Sequence, residues 1–299
     1  MSLNMDSWFW RITIVVAIVV VREFVRYLFP PDSHPSADSG EGSKWIIEML
    51  DSAAIAIGLV LFIIQPFILQ AFFIPSGSME NTLLIGDRLL VSKLDYRLKD
   101  PSFQDVVVFK APEIALGGDT PEGSDFIKRC IGTPGDIVYV VNRQVYREPK
   151  GSNTFYKVDE PYTKWEPNPD NGQQLSVSYD MKIVNGMVYS REYAVAGEPG
   201  PWRQDGIPLP DSQQAYISGA KPSDVPPGKF LMFGDHRNNS NDGHVWGFVP
   251  RANIIGKAIV IFWPPTRLRL LDVESGTPTK QTPVKTAGIS PVNFSLRAP

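Results

Sequence analysis

AAIAIGLVLFIIQPFILQAFFI, residues 53–74, followed at once by PSGSM, residues 75–79, is the stretch on which the architecture turns. The first part runs about 22 residues without a charge, which matches the roughly 20 a helix needs to cross a bilayer core. A buried helix of a soluble protein seldom stays uncharged for so long, so the stretch is expected to span, with Pro66 kinking it. The second part is a turn of small residues that such a span would deliver to the membrane surface.

Toward the N-terminus a shorter apolar run, Ile12 to Val21, is lengthened by Trp8, Phe9 and Trp10 on one side and by Phe24 and Val25 on the other. It predicts a second span, with Arg11 and Arg22 reaching toward headgroups. No small-residue cleavage site follows Val21, so the run reads as a retained anchor rather than a signal peptide. Between the spans, Pro30 to Ser43 is rich in proline, serine and glycine and cannot form a packed unit of its own. Arg22, Arg26 and Lys44 flank this loop against Arg11 alone beyond it, a charge bias that places the loop in the cytoplasm and everything after Ile74 outside. The expected divisions are a first transmembrane helix with its flanks over 1–28, a cytoplasmic loop over 29–50 and a second transmembrane helix over 51–74.

Toward the C-terminus, short apolar or alternating runs are punctuated by Gly, Pro, Asn and Asp: DRLLVSKL, DVVVFKAP, DFIKRCIG, DIVYVVNRQVY, KFLMFGD and IIGKAIVIFW. They predict a β-rich domain over 75–271, with a tight hairpin at Asn142 and Arg143. Residues 150–225 carry many prolines and glycines and few long strands, and read as a peripheral insertion. The tail, 272–299, has the composition of a disordered segment. The fold class is therefore mainly β, an extracytoplasmic β-rich domain on two N-terminal transmembrane helices.

A net charge of -3 with scattered basic residues offers nothing to a phosphate backbone, so nucleic acid is excluded as a partner. Cys130 is the only cysteine and can form neither an intramolecular disulfide nor a thiol metal cluster. His34, His236 and His244 show no ligand spacing, so no metal is expected.

Three groups of residues could carry chemistry. The turn Pro75-Ser76-Gly77-Ser78-Met79 can present a hydroxyl without steric cover. A serine nucleophile needs a base, and a lysine serves only if burial keeps its amine neutral. In Phe126-Ile127-Lys128-Arg129-Cys130-Ile131, strand alternation sets Lys128 between Phe126 and Cys130 on one face and turns Arg129 to the other, where it can seek a carboxylate. The third group is GDHRNNSNDGHVWGFV, residues 234–249, dense in short hydrogen-bonding side chains; as a calcium loop it fails, because Arg237 stands where a ligand oxygen is needed. His236 and His244 within it keep a serine–histidine arrangement open.

Taken together, IPSGSMENTLLIGDRLLVSKLDY, VVVFKAP, IKRCIGTPGD and GDHRNNSNDGHVWGFVP, in this order behind two apolar runs, resemble the type I signal peptidases, serine/lysine-dyad proteases of the bacterial plasma membrane. The resemblance covers Ala53 to about Trp263. It implies Ser78 as nucleophile and Lys128 as general base, with no cofactor. It also implies that Ser76 joins the Ser78 N–H in the oxyanion hole, that Ser240 orients the lysine, and that Arg129 and Asp235 form a structural ion pair. Ile74, Met79, Leu83, Phe126, Ile127 and Met232 would line shallow pockets for small residues. Implied partners are signal-peptide-bearing preproteins, the lipid bilayer and the secretion translocon, and the implied location is the bacterial plasma membrane, multi-pass, with the catalytic domain extracytoplasmic. The chain departs from the family pattern at several places: Asn81 stands where proline is usual, and His244 where arginine is, which leaves Asp242 a weaker partner.

Two rivals remain on the sequence. A self-cleaving repressor shares the chemistry but is soluble and carries a DNA-binding head, against which the spans argue. A membrane-tethered β-module that binds extracytoplasmic partners without turnover would have no need to keep Ser78, Lys128 and Ser240 together.

Overall fold

The computed structural model describes residues 6–28, 39–116, 121–165, 178–193, 199–271 and 281–284, and the chain divides into two compact units, Met1–Ala71 and Phe72–Pro299.

The first unit holds two helices packed together, Asp6–Leu28 and Ser39–Leu59, the second continuing as a π-helix over Val60–Ile68. Trp45–Ile68 is long and apolar enough to cross a membrane, with mean hydropathy 2.2 and none of it buried in the protein. The helix spans more than the 51–74 expected at its start and less at its end. It begins within the stretch read as loop and stops at Ile68, where the Leu69 N–H bonds back to the Ile64 carbonyl and the chain becomes extended over Leu69–Phe73. Pro66 lies inside the π-helical turn, where a wider turn accommodates its missing N–H. Two of the first helix's three arginines, Arg11 and Arg22, do not reach outward as expected. Arg22 pairs with Asp51 at 2.7 Å and Arg11 donates to the Leu61 carbonyl at 3.0 Å, because a guanidinium on an apolar helix is best satisfied by a partner on the facing one.

The second unit is built from two eight-stranded sheets. The first runs in the order Leu69–Phe73, Arg88–Ser92, Ile254–Trp263, Val106–Lys110, Asp125–Gly132, Lys229–Phe233 and Phe248–Pro250, with Arg269–Leu270 also paired to Ile254–Trp263. The second runs Ile207–Pro208, Arg203–Gln204, Met187–Glu192, Tyr179–Val184, Ile137–Val141, Gln144–Glu148, Tyr156–Val158 and Gln281–Pro283. Asp125–Gly132 is antiparallel to both Val106–Lys110 and Lys229–Phe233.

Local sequence explains the tight connections. At Asn142-Arg143, Asn185-Gly186 and Asp205-Gly206 both turn residues take positive φ, between 50° and 75°. That is the geometry of the type I′ turn, whose twist matches that of paired strands. The expectation of a peripheral insertion over 150–225 needs correction. Its strands Tyr179–Val184 and Met187–Glu192 sit inside the second sheet, and Tyr179, Met181, Ile183, Val188 and Val225 join Ile131, Val138, Val140, Leu231 and Phe233 in one buried cluster. These strands are six residues each and continuously buried on the first, so they lack the alternation by which a half-exposed strand is recognised. Within the tail, Gln281–Pro283 pairs with Tyr156–Val158 rather than lying free; most of 272–299 falls outside the described residues.

Candidate active site

Ser78 rides on a single 3-10 turn, Gly77–Met79, immediately after the strand that ends at Phe73. The turn is pinned from inside. Met79 and Leu83 are fully buried in a cluster with Ile74, Leu89, Val91 and Val106, and the Leu83 N–H bonds to the Met79 carbonyl at 2.8 Å. Burial on one side leaves Ser78 half-buried on the other.

Lys128 lies in the Asp125–Gly132 strand opposite Val107 and is 5% exposed. Its amine donates to the Ser78 hydroxyl at 2.5 Å and stands 5.7 Å from the centre of the Phe126 ring. Burial pulls the amine down from 10.5 to about 8, against the opposing charges of Asp242 and Asp235. An amine so lowered, within bonding distance of a hydroxyl, can act as a general base toward it once it has lost its proton. Lowering alone does not define such a base. Lys182, in the second sheet, is also brought to about 8, chiefly by burial, but its amine is taken up by the carbonyls of Ser218 and Ala220.

Alternation along the strand sends Arg129 the other way, into a bidentate pair with Asp235 at 2.8 and 2.6 Å. Its remaining donors go to the Gln104 carbonyl and the Thr82 hydroxyl, and Thr82 in turn donates to Asp235. The pair is buried, with Asp235 fully so. Thr82 carries no sequence signal of its own; only its place four residues past Ser78, on the turn's second bend, hints at it.

The 234–249 loop closes the site from the far side. The Asp242 carboxylate accepts from the Gly234 N–H at 2.8 Å, while His244 meets it through its backbone N–H and, at 2.7 Å, its ring Nδ1. Burial alone would raise this carboxyl; His244, the Gly234 N–H and Lys128 outweigh it and hold it below its ordinary value. The histidine thus meets the carboxylate directly, and its ring stacks flat on Tyr179 at 3.9 Å. The His236 ring is turned to Glu80, 3.2 Å away.

Ser240 is buried, but its hydroxyl makes no hydrogen bond among the described residues; the Lys128 amine bonds to Ser78 instead. It packs against Gly234, where an added Cβ would lie 2.2 Å from the Ser240 Oγ and 2.5 Å from the Ser78 carbonyl oxygen. Gly234 is a site residue that sequence reading missed, since nothing in a lone glycine announces how close its neighbours come. Ser76 is exposed at the entrance to the turn. Of the expected pocket residues, Ile74, Met79, Leu83 and Met232 are buried to 2% exposure or less, and Phe126 and Ile127 remain partly open.

The family described as signal peptidase, peptidase S26, matches residues 46–263. A protein of Synechocystis sp. named "Probable signal peptidase I-2" is 36% identical over 223 residues, 75% of this chain and 74% of that one. A signal peptidase I of Leptolyngbya laminosa is 32% identical over 239 residues, 80% of this chain and 90% of its own length. A signal peptidase I of Aquifex aeolicus is 35% identical over 216 residues, 69% of this chain and 80% of that protein. Among solved structures, a signal peptidase I from Enterococcus faecalis V583 covers 53% of this chain and 97% of its own at a TM-score of 0.29 and 18% identity.

Proposed function

The chain belongs to the signal peptidase family, peptidase S26, and from that membership we propose that it removes signal peptides from secretory precursors with Ser78 as nucleophile and Lys128 as general base. The observation that carries the assignment is the bond of 2.5 Å between a buried amine, lowered to about 8, and the serine hydroxyl. In the proposed reaction Lys128 Nζ takes the Ser78 proton as Oγ attacks the scissile carbonyl. The tetrahedral oxyanion faces the Ser78 N–H and the Ser76 hydroxyl. Collapse breaks the C–N bond, Lys128 returns the proton to the leaving amine, and the same amine then activates the water that frees the acyl-enzyme.

Ser240 is assigned the role of steadying the protonated amine once Ser78 has been acylated and no longer accepts from it. Arg129 and Asp235 are assigned to hold the strand and the loop in register. Phe126 and Ile127, with Ile74, Met79, Leu83 and Met232 behind them, would shape apolar pockets too shallow for large side chains, in keeping with cleavage after small-x-small motifs.

Both N-terminal helices would cross the plasma membrane, with the β-rich unit on the outer side and the loop expected over 29–50 in the cytoplasm. The charge bias of Arg22, Arg26 and Lys44 over Arg11 supports that orientation. Lipid and the translocon complete the proposed surroundings.

The test is incubation of the detergent-solubilised protein with a model preprotein. Wild type should yield mature product, and Ser78→Ala and Lys128→Ala should each lose at least about a thousandfold in rate. No product from wild type, or undiminished product from either variant, removes the assignment.

A further inference from the structure

Residues 160–165, EPYTKW, contain no long strand, yet they touch each element on which Ser78 and Lys128 are mounted. Lys164 pairs through its backbone with the 234–249 loop, its N–H donating to the Asp235 carbonyl at 2.8 Å and its carbonyl accepting from the Arg237 N–H at 3.0 Å. On the opposite edge of that same short run, the His236 N–H donates to the Ser78 carbonyl at 3.1 Å. The nucleophile's own backbone is therefore one hydrogen bond removed from Lys164.

Side chains reinforce the link. The Lys164 amine donates to Glu80 at 2.8 Å, and the Asn81 amide donates to the Thr163 carbonyl at 3.1 Å. Glu80 folds back over the turn, so that a Cβ on Gly77 would lie 3.7 Å from its carboxyl carbon. Asn81 holds φ at 84°, a left-handed conformation that proline, fixed near -65°, cannot adopt. At the other end Glu160 pairs twice with the fully buried Arg237, and the Tyr162 ring lies 3.8 Å from the Arg129 guanidinium.

We propose that residues 160–165 act as a positioning strap, which through Lys164 and Asn81 fixes the turn carrying Ser78 relative to the strand carrying Lys128. The proposal rests on the reading of Ser78 and Lys128 as the dyad. Stability is not what the outer contacts provide. Lys164 and Glu80 are each about a third exposed, and ion pairs so open to water contribute ~0–1 kcal/mol. Placement is another matter, since a catalytic pair loses rate steeply when displaced by a fraction of an ångström. Met79 and Leu83 fix the turn from the core side; Glu80 and Asn81 are its outward residues, and the strap holds both, with the His236 ring as a second partner of Glu80.

The experiment measures kcat and KM of the full-length, detergent-solubilised protein on a signal-peptide-derived fluorogenic peptide, with thermal midpoints alongside. Lys164→Met removes the amine, and Asn81→Gly removes the amide while keeping the left-handed backbone. Each should lower kcat roughly fivefold and the two together more than about twentyfold. KM should stay within about twofold, the midpoint within about 2 °C, and Lys164→Arg should restore most of kcat. Unchanged kcat in the double variant, a fall that Lys164→Arg does not lessen, or a fall that follows the thermal midpoint overturns the strap. Should the double variant fail to fold, Glu80→Gln tests the same contact from its other side, and wild-type kcat there also overturns it. Ser78→Ala and Lys128→Ala are measured in parallel. Turnover surviving in them sinks the dyad, whereas their inactivity beside fully active strap variants sinks the strap alone.

Discussion

Replacing Lys128 with methionine should silence the enzyme and, at neutral pH, make it more stable. The amine falls from 10.5 to about 8 mainly through burial, and holding it at that value costs folding about 3 kcal/mol at pH 7. Methionine has a similar length and no charge to desolvate. Against this gain stands the lost bond to the Ser78 hydroxyl, about 1 kcal/mol, and Ser78 is open enough to find water in its place. The net is about 2 kcal/mol, or roughly 4–8 °C in thermal midpoint for a unit of this size. The sign with pH follows from proton counting. Between about 8 and 10.5 the unfolded lysine binds a proton that the folded one does not, so wild-type stability climbs with pH through that window. The advantage of Lys128→Met is therefore complete below about 8, shrinks as pH rises through that window, and by about 10.5 gives way to a deficit of about 1 kcal/mol from the lost bond. Thermal melts of both proteins in detergent at several pH values between about 7 and 10 read this directly. A variant no more stable than wild type at pH 7, or a gain that does not change with pH, would refute the claim that burial lowers the amine to about 8.

The same amine sets the pH dependence of catalysis: kcat/KM should rise through about 8 from the acid side, as Lys128 gives up its proton, and a limb near 6.5 would point to a histidine instead. Gly234→Ala puts a Cβ 2.2 Å from Ser240 Oγ and 2.5 Å from the Ser78 carbonyl. It should cost about 1–3 kcal/mol of stability and roughly a hundredfold in kcat, and wild-type kinetics would contradict the packing described. Arg129→Met or Asp235→Leu alone should each destabilise by about 3–5 kcal/mol, because each leaves a buried charge unpaired, whereas the double variant should recover much of that loss. Additive losses in equilibrium melts would show that the pair is not coupled.

Much of the site was legible because its clues are local. Two-residue alternation placed Lys128 and Arg129 on opposite faces, and the structure gives one to Ser78 and the other to Asp235. The hairpin at Asn142-Arg143 was equally readable, since its turn residues must take positive φ. Asn185-Gly186 carries the same turn signal, joining two interior strands of the second sheet that the alternation does not reveal. Their buried faces look like an irregular apolar stretch until the facing sheet is in place.

Composition, charge and spacing by themselves determined an apolar helix of membrane-crossing length, a β-rich domain behind it, and the opposite facing of Lys128 and Arg129, since polarity and period belong to residues close in sequence; the pairing of Ser78 with Lys128 came from the family resemblance. Only the tertiary structure decided that the lysine's amine lies 2.5 Å from a hydroxyl fifty positions away, that the Ser240 hydroxyl faces Gly234, and that residues 160–165 bind three catalytic elements together. Such contacts depend on how sheets and loops close over one another, and desolvation of an amine is a property of everything that surrounds it.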